Sequence, residues 1–390
     1  SYRCGSSNGP ILFNSIIVTL MFYNWWYSEI PNNARSHLLD GFDLRELTAG
    51  SSIEWVQNYV NDYTGQKSLC FNSGTSALIA GLVSAGVKSG DVVALSPIGW
   101  IATLQAIIAV GAKPLFVDVR SDLPILDTAA LVELDFDCVV PTHYNGRLVD
   151  LKEFISSRTS PKKPIVVSDA CKAFLGHSDD LIPWNYSDVT CFSTGMISQV
   201  STIYGGIACT NSDIIFEKLS LQRNHGCSFE ETGPYLEKYN DFSLNLKPSN
   251  LHFSLAVSQL EKLNSRRDFL TKLYKSYETR CAEFRKHGLD LVPVNISSGE
   301  IPLLIDAICD HRKSLTDYLF SHNIGTQRFH APLNSSQIDG RIEAYDTGLY
   351  PNAHRFSEGA FHFPSGINRI DLDNKYFDHF SNILRDFYGI

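Results

Sequence analysis

The sequence predicts an α/β fold: a mostly parallel central sheet with helices on both faces, then a smaller C-terminal α/β domain. Three observations predict it. From about residue 68, short unbroken apolar runs alternate with helical stretches, as strands buried on both faces of a parallel sheet do. Polar turns follow those runs, at the strand ends where open α/β sheets take ligands. After about residue 245 the pattern changes to a long helical stretch and a few shorter strand-like runs.

The elements follow in order. Ile11–Tyr27 is apolar but broken by Asn14, Ser15, Thr19 and Asn24, and it falls short of the ~20 residues a spanning helix needs. It reads as part of a packed N-terminal arm, residues 1–45. The large domain, residues 46–245, opens with a strand at Ser68–Asn72 and a helix at Ser76–Ala85. A strand at Val92–Leu95, a helix at Ile101–Val110 and strands at Pro114–Val119, Cys138–Pro141 and Ile165–Ser168 continue it. Right-handed βαβ connections put Ser73–Thr75, Ser96–Trp100, His143 and Asp169 on one rim. Leu251, Leu255, Leu260, Leu263, Leu273 and Tyr277 predict one long helix from Asn250 to His287, opening a small domain of residues 246–390. Strands at Leu291–Val294 and Pro302–Ile308 and helices near Lys313–Phe320 and Lys375–Tyr388 complete it.

The 390 residues are ample for a core without disulfide or metal staples. With 33 Lys+Arg against 42 Asp+Glu the net charge is −9, and there is no basic run. That argues against nucleic-acid or anionic-membrane partners. The charged fraction, 19%, is below the usual ~25%, consistent with surface covered by a second subunit. Nine scattered cysteines, without a CxxC pair, fit reduced thiols in the cytoplasm better than a disulfide framework or a zinc site.

Four motifs carry chemistry. Asn72–Leu78 joins a strand to a helix, and Gly74, Thr75 and Ser76 could cradle a phosphate on the helix N-terminus; a plain helix cap uses the same residue types. Trp100 could stack on a planar ring or sit in a core. Asp169, after a buried strand, needs a partner such as a protonated pyridine nitrogen, or else caps a helix. Phe192-Ser193, followed by Gly205-Gly206, marks a close backbone approach or an ordinary turn.

The order and spacing of these motifs resemble the DegT/StrS family of sugar aminotransferases and dehydrases, fold type I enzymes of pyridoxal phosphate (PLP). The resemblance runs from about Leu47 to Gly366 and includes Gly90-Asp91, Gly111–Pro114, Asn145-Gly146, Asn224–Gly226 and Asn245–Leu251. It implies that Gly74, Thr75 and Ser193 bind the cofactor phosphate, Trp100 stacks on the ring, and Asp169 meets the ring nitrogen. It further implies that Asn245 reaches the phosphate of a neighbouring subunit, so that a homodimer shares its active sites. The substrate implied is a nucleotide-linked keto sugar.

One position breaks the pattern. The family's Schiff-base lysine lies five residues past the serine of the F-S element and seven before the glycine pair. Both counts land on Ser198, and no lysine lies between Lys172 and Lys218. Serine forms no imine and is a poor base near neutral pH, so the resemblance implies PLP or its amine form PMP bound non-covalently, with no internal aldimine. Lys172 stands where the family usually has Gln, and could pair with the ring hydroxyl, act as a displaced base or simply be a solvated lysine. His143, His225 and His330 could border the cleft, with His330 first. The candidate catalytic residues are therefore Ser198, Lys172 and His330. Three readings stay open: a dehydrase-like enzyme, a non-catalytic relative that binds a nucleotide sugar or a partner protein, and an ordinary aminotransferase carrying an engineered serine, with which a start at Ser1 is compatible.

Overall fold

The computed structural model describes residues 22–158, 163–178, 181–228, 238–239, 243–336 and 348–390. Cys4 and the arm up to residue 21 lie outside them. The arm's end forms β1 (Trp26–Ser28) and is followed by α1 (Ala34–Asp43) and α2 (Ser51–Thr64). The large domain then runs β2 (Lys67–Phe71), α3 (Gly74–Ala85), β3 (Val92–Leu95), α4 (Ile101–Ala109), β4 (Lys113–Phe116), β5 (Cys138–Val140), α5 (Leu151–Ser157), β6 (Ile165–Asp169), β7 (Val189–Ser193), β8 (Gly206–Thr210) and α6 (Asp213–Arg223). A short hairpin, β9 (Cys227–Ser228) with β10 (Lys238–Tyr239), precedes α7 (Asn250–Leu260) and α8 (Leu263–Cys281). The C-terminal part adds β11 (Leu289–Leu291), β12 (Ile305–Cys309), α9 (Arg312–Ser321), β13 (Gln327–Arg328), α10 (Pro351–Gly359), β14 (Ala360–Phe363), β15 (Ser365–Ile367) and α11 (Asn374–Tyr388).

Seven strands form the large sheet in the order β2-β8-β7-β6-β5-β3-β4. Only β8 runs antiparallel to its neighbours β2 and β7; the other pairings are parallel. The unbroken Val, Leu, Ile and Cys of these strands bury both faces. Ala77, Leu78 and Leu82 of α3 pack with Val167, Val189 and Ala208 on one face. Val56 and Val60 of α2 and Phe253 of α7 pack with Cys70, Phe192 and Ile207 on the other. The small domain is an antiparallel sheet, β11-β12-β14-β13, packed through Phe361 and Phe363 on Tyr277 of α8 and Phe380 of α11.

One expectation is corrected. The helix from Asn250 to His287 is not continuous: α7 ends at Leu260, α8 starts at Leu263, and residues 282–287 wind as a 3₁₀ turn. Periodicity does not register a two-residue offset of this kind, because apolar side chains resume on the far side of it. The described end of the arm lies on the body: β1 pairs in parallel with β15 and Tyr23 packs on Tyr376, ring centres 4.7 Å apart.

Candidate active site

The rim forms where β2, β3, β6 and β7 end. At the first of these, the Ser73 hydroxyl caps α3 by accepting from the Ser76 N–H at 3.1 Å. Gly74 opens the helix with no side chain in the way: a Cβ there would stand 3.0 Å from Cβ of Ser193 and 3.1 Å from Sγ of Cys171. Gly206 begins β8 where a Cβ would overlap the Ser73 carbonyl oxygen, 2.2 Å away, so only glycine lets β8 pass behind this turn. Half-buried Thr75 lies one residue into the helix. The Ser193 hydroxyl, from the end of β7, accepts from the Gly195 N–H at 3.0 Å. Backbone N–H groups, hydroxyls and a bare glycine lie together at this helix start, the donor set that an anion would need.

Asp169 closes β6 and is 3% exposed. Its Oδ2 accepts from the Thr103 hydroxyl at 2.5 Å, and its Oδ1 accepts from the Cys171 N–H at 3.1 Å. No ion pair to it forms among the described residues. A buried carboxylate with two neutral donors is short of positive charge, and a protonated ring nitrogen would supply it. Donor set and carboxylate thus fit the two ends of a phosphorylated pyridine.

Trp100 precedes α4 and is 48% exposed. His330 meets its ring edge-on, centres 4.8 Å apart at 72°. Burial holds the His330 imidazole below its ordinary range, and His362, Lys172 and Arg328 push the same way.

Lys172 is half-buried and donates from Nζ to the carbonyl of Ile197 at 2.6 Å. That carbonyl belongs to the residue immediately before Ser198, itself 1% exposed. Burial pushes the Lys172 ammonium down to about 8, against the pull of Cys171 and Asp169. Lys172 thus bonds to the residue before Ser198 and lies within electrostatic reach of Asp169 and His330.

Not every predicted residue joins them. Asn245 is exposed and bridges Asn224 in its own chain; its carbonyl accepts from Asn72 Nδ2 at 3.2 Å. His143 is sealed: its Nδ1 accepts from the Val149 N–H at 3.1 Å, and its Nε2 meets the Ser168 hydroxyl. Burial pushes its imidazole down to about 3, so it is a neutral structural group. His225 is exposed, on a turn with φ +60°.

Sequence reading missed Thr103, whose signal was a hydroxyl in a mostly apolar helix, I-A-T-L-Q-A-I-I. It also missed two arginines at the start of α8. Arg267 donates to the carbonyls of Phe174 and Leu175, at 3.0 and 2.9 Å, just past Lys172. Arg266 donates to the carbonyl of Gln199 at 3.1 Å, just past Ser198. Gln259 completes the brace, accepting from Ser201 N–H at 2.8 Å and donating to the Ser201 carbonyl at 2.5 Å.

With this geometry the chain has the fold of the type I PLP-dependent transferases. It superposes on PseC of Helicobacter pylori, an aminotransferase of pseudoaminic acid biosynthesis, with a TM-score of 0.86 at 18% identity, covering 95% of this chain and 100% of that one. NtdA of Bacillus subtilis with bound PMP matches at a TM-score of 0.81 and 19% identity, covering 91% of this chain and 83% of that one. In sequence, the UDP-4-amino-4,6-dideoxy-N-acetyl-beta-L-altrosamine transaminase of Campylobacter jejuni is 24% identical over 303 residues, 73% of this chain and 77% of the relative. Residues 32–374 match the DegT/DnrJ/EryC1/StrS aminotransferase family, and the chain belongs to it.

Proposed function

We propose that this protein is a PLP- or PMP-dependent enzyme acting on a nucleotide-linked keto sugar in sugar or polysaccharide biosynthesis. Ser198 stands in place of the family's lysine, and Lys172 is the working amine. One observation carries the reading: the Lys172 Nζ sits 2.6 Å from the carbonyl next to position 198. A half-buried, partly dehydrated lysine beside position 198 favours an enzyme over a non-catalytic binder, which has no use for such an amine.

When bound, the cofactor supplies an electron sink and an amino group. Gly74, Thr75 and Ser193 would hold its phosphate, Trp100 would cover its ring and Asp169 would keep the ring nitrogen protonated. Lys172, poised near pH 8, takes and returns the proton at the substrate carbon, with His330 beside Trp100 as a second proton carrier. Ser198 offers a small buried hydroxyl and no base. No helix among the described residues is long and apolar enough to cross a membrane. The scattered thiols support a reducing, cytoplasmic setting.

The working unit in this reading is a homodimer in which Asn245 serves the partner's phosphate. Exposed Leu39 and Phe42 of α1, Leu44 and Leu47 after it, and Trp55 of α2 support such an interface. Mixing inactive Lys172→Ala and Asn245→Ala chains then restores part of the activity; mixtures as dead as their components would dismiss the shared site. The test of the reaction is a single turnover with PMP and a UDP-linked keto sugar, followed by mass spectrometry of the sugar. Wild type converts it and Lys172→Ala does not; a wild type that neither retains PMP nor changes the sugar refutes the reading.

A further inference from the structure

We propose that Lys172 is a covalent anchor: its amine condenses with the aldehyde of PLP, so that the tether missing at position 198 is supplied from the turn after β6. The inference rests on the cofactor reading above and replaces the untethered cofactor that position 198 alone implies. The neutral Nζ adds to the aldehyde carbon, a C=N bond forms, and the aldehyde oxygen leaves with both amine protons as water.

Three observations point to it. The first is place. Lys172 lies three residues past Asp169, and its Nζ is bonded at 2.6 Å to the backbone beside position 198, so the amine reaches the neighbourhood from which a lysine at 198 would have started. The second is rigidity. Arg267 fixes the carbonyls of Phe174 and Leu175 on one side, and Arg266 fixes that of Gln199 on the other. Both loops therefore hang from one helix, and among the described residues the amine is held without an ion pair. The third is chemistry. A solvated ammonium is almost wholly protonated at neutral pH and cannot add to a carbonyl; burial relieves that for Lys172. The titratable groups that face it, Asp169, Cys171 and His330, leave it within reach of the free amine just above neutrality.

The test is chemical trapping on the full-length chain loaded with PLP. Borohydride reduction, digestion and mass spectrometry should locate roughly one pyridoxyl adduct per chain on Lys172, with an imine absorbance band before reduction. Lys172→Gln should lose both band and adduct yet retain PMP by equilibrium dialysis, which also shows that the variant is folded. Trapping yield should climb as pH is raised through about 8. PLP that is retained but cannot be trapped, or is trapped on another lysine, overturns the anchor and leaves the cofactor reading standing. A wild-type chain that retains neither PLP nor PMP overturns both.

Discussion

Asp306 and Asp169, two of the carboxylates buried among the described residues, are treated in opposite ways. Asp306, on β12, is fully enclosed and saturated. Arg147 Nη1 reaches its Oδ2 at 2.5 Å, Asn145 Nδ2 contacts both oxygens at 3.0 and 3.1 Å, and His362 Nδ1 donates to Oδ1 at 2.7 Å. Burial alone would raise its carboxyl, but Arg147 and His362 outweigh that and hold it below the usual range. Asp169 accepts only from a hydroxyl and one backbone N–H, while Lys172 donates to the Ile197 carbonyl rather than to it. The first arrangement ties the small domain's sheet to the turn after β5 and is complete. The second is incomplete by one cation, which is what a binding site for a cationic ring has to be. Burial of a charge identifies neither; the count of its donors separates them.

The largest effect that would sharpen this contrast is chemical. Lys172→Ala should lower turnover by about 10²–10⁴, the usual worth of a positioned proton carrier. A loss under about threefold in kcat would remove Lys172 from the reaction.

Next comes stability. Asp306→Ala leaves Arg147 charged and enclosed, and should cost about 3–5 kcal/mol in denaturant unfolding. Asp169→Asn should leave the cofactor-free protein as stable as before or slightly more so, while PMP retention collapses. Equal destabilisation by the two substitutions would erase the distinction drawn here. Acid sharpens it from the other side. Asp306 has a depressed carboxyl in the folded chain, so its contribution is complete above the unfolded value near 4 and fades as pH falls below that.

A smaller change is expected at Thr103. Thr103→Val removes one hydrogen bond to a charged acceptor, worth about 1.5–3 kcal/mol. It should read as weaker PMP binding in titration calorimetry and as a lower thermal midpoint of the cofactor-free chain. Unaltered affinity would mean that Asp169 holds its orientation without the hydroxyl.

The sequence made much of this legible because parallel strands leave a plain trace: a short apolar run buried on two faces, then a polar turn. Gly74, Ser193 and Asp169 each follow such a run, and all three meet at one rim. What stayed hidden was contact between segments far apart along the chain. Nothing local to Lys172 says that its amine finds the carbonyl of Ile197, and nothing local to Arg266 or Arg267 says that they brace two loops from another helix. The break between α7 and α8 was lost for a related reason, since apolar period continues across it. Asp306, buried and paired four times over, read only as one polar residue in a strand-like run.

The arginine pair at the head of α8 bears on how such a site could change over evolutionary time. Two turns distant in sequence are fastened to the same stem, so their relative placement is fixed whatever their own side chains are. A functional group can then be lost from one turn and regained on the other without rebuilding the scaffold. On that view the address of a catalytic amine is a point in space, and residues 172 and 198 are two alternative streets that lead to it.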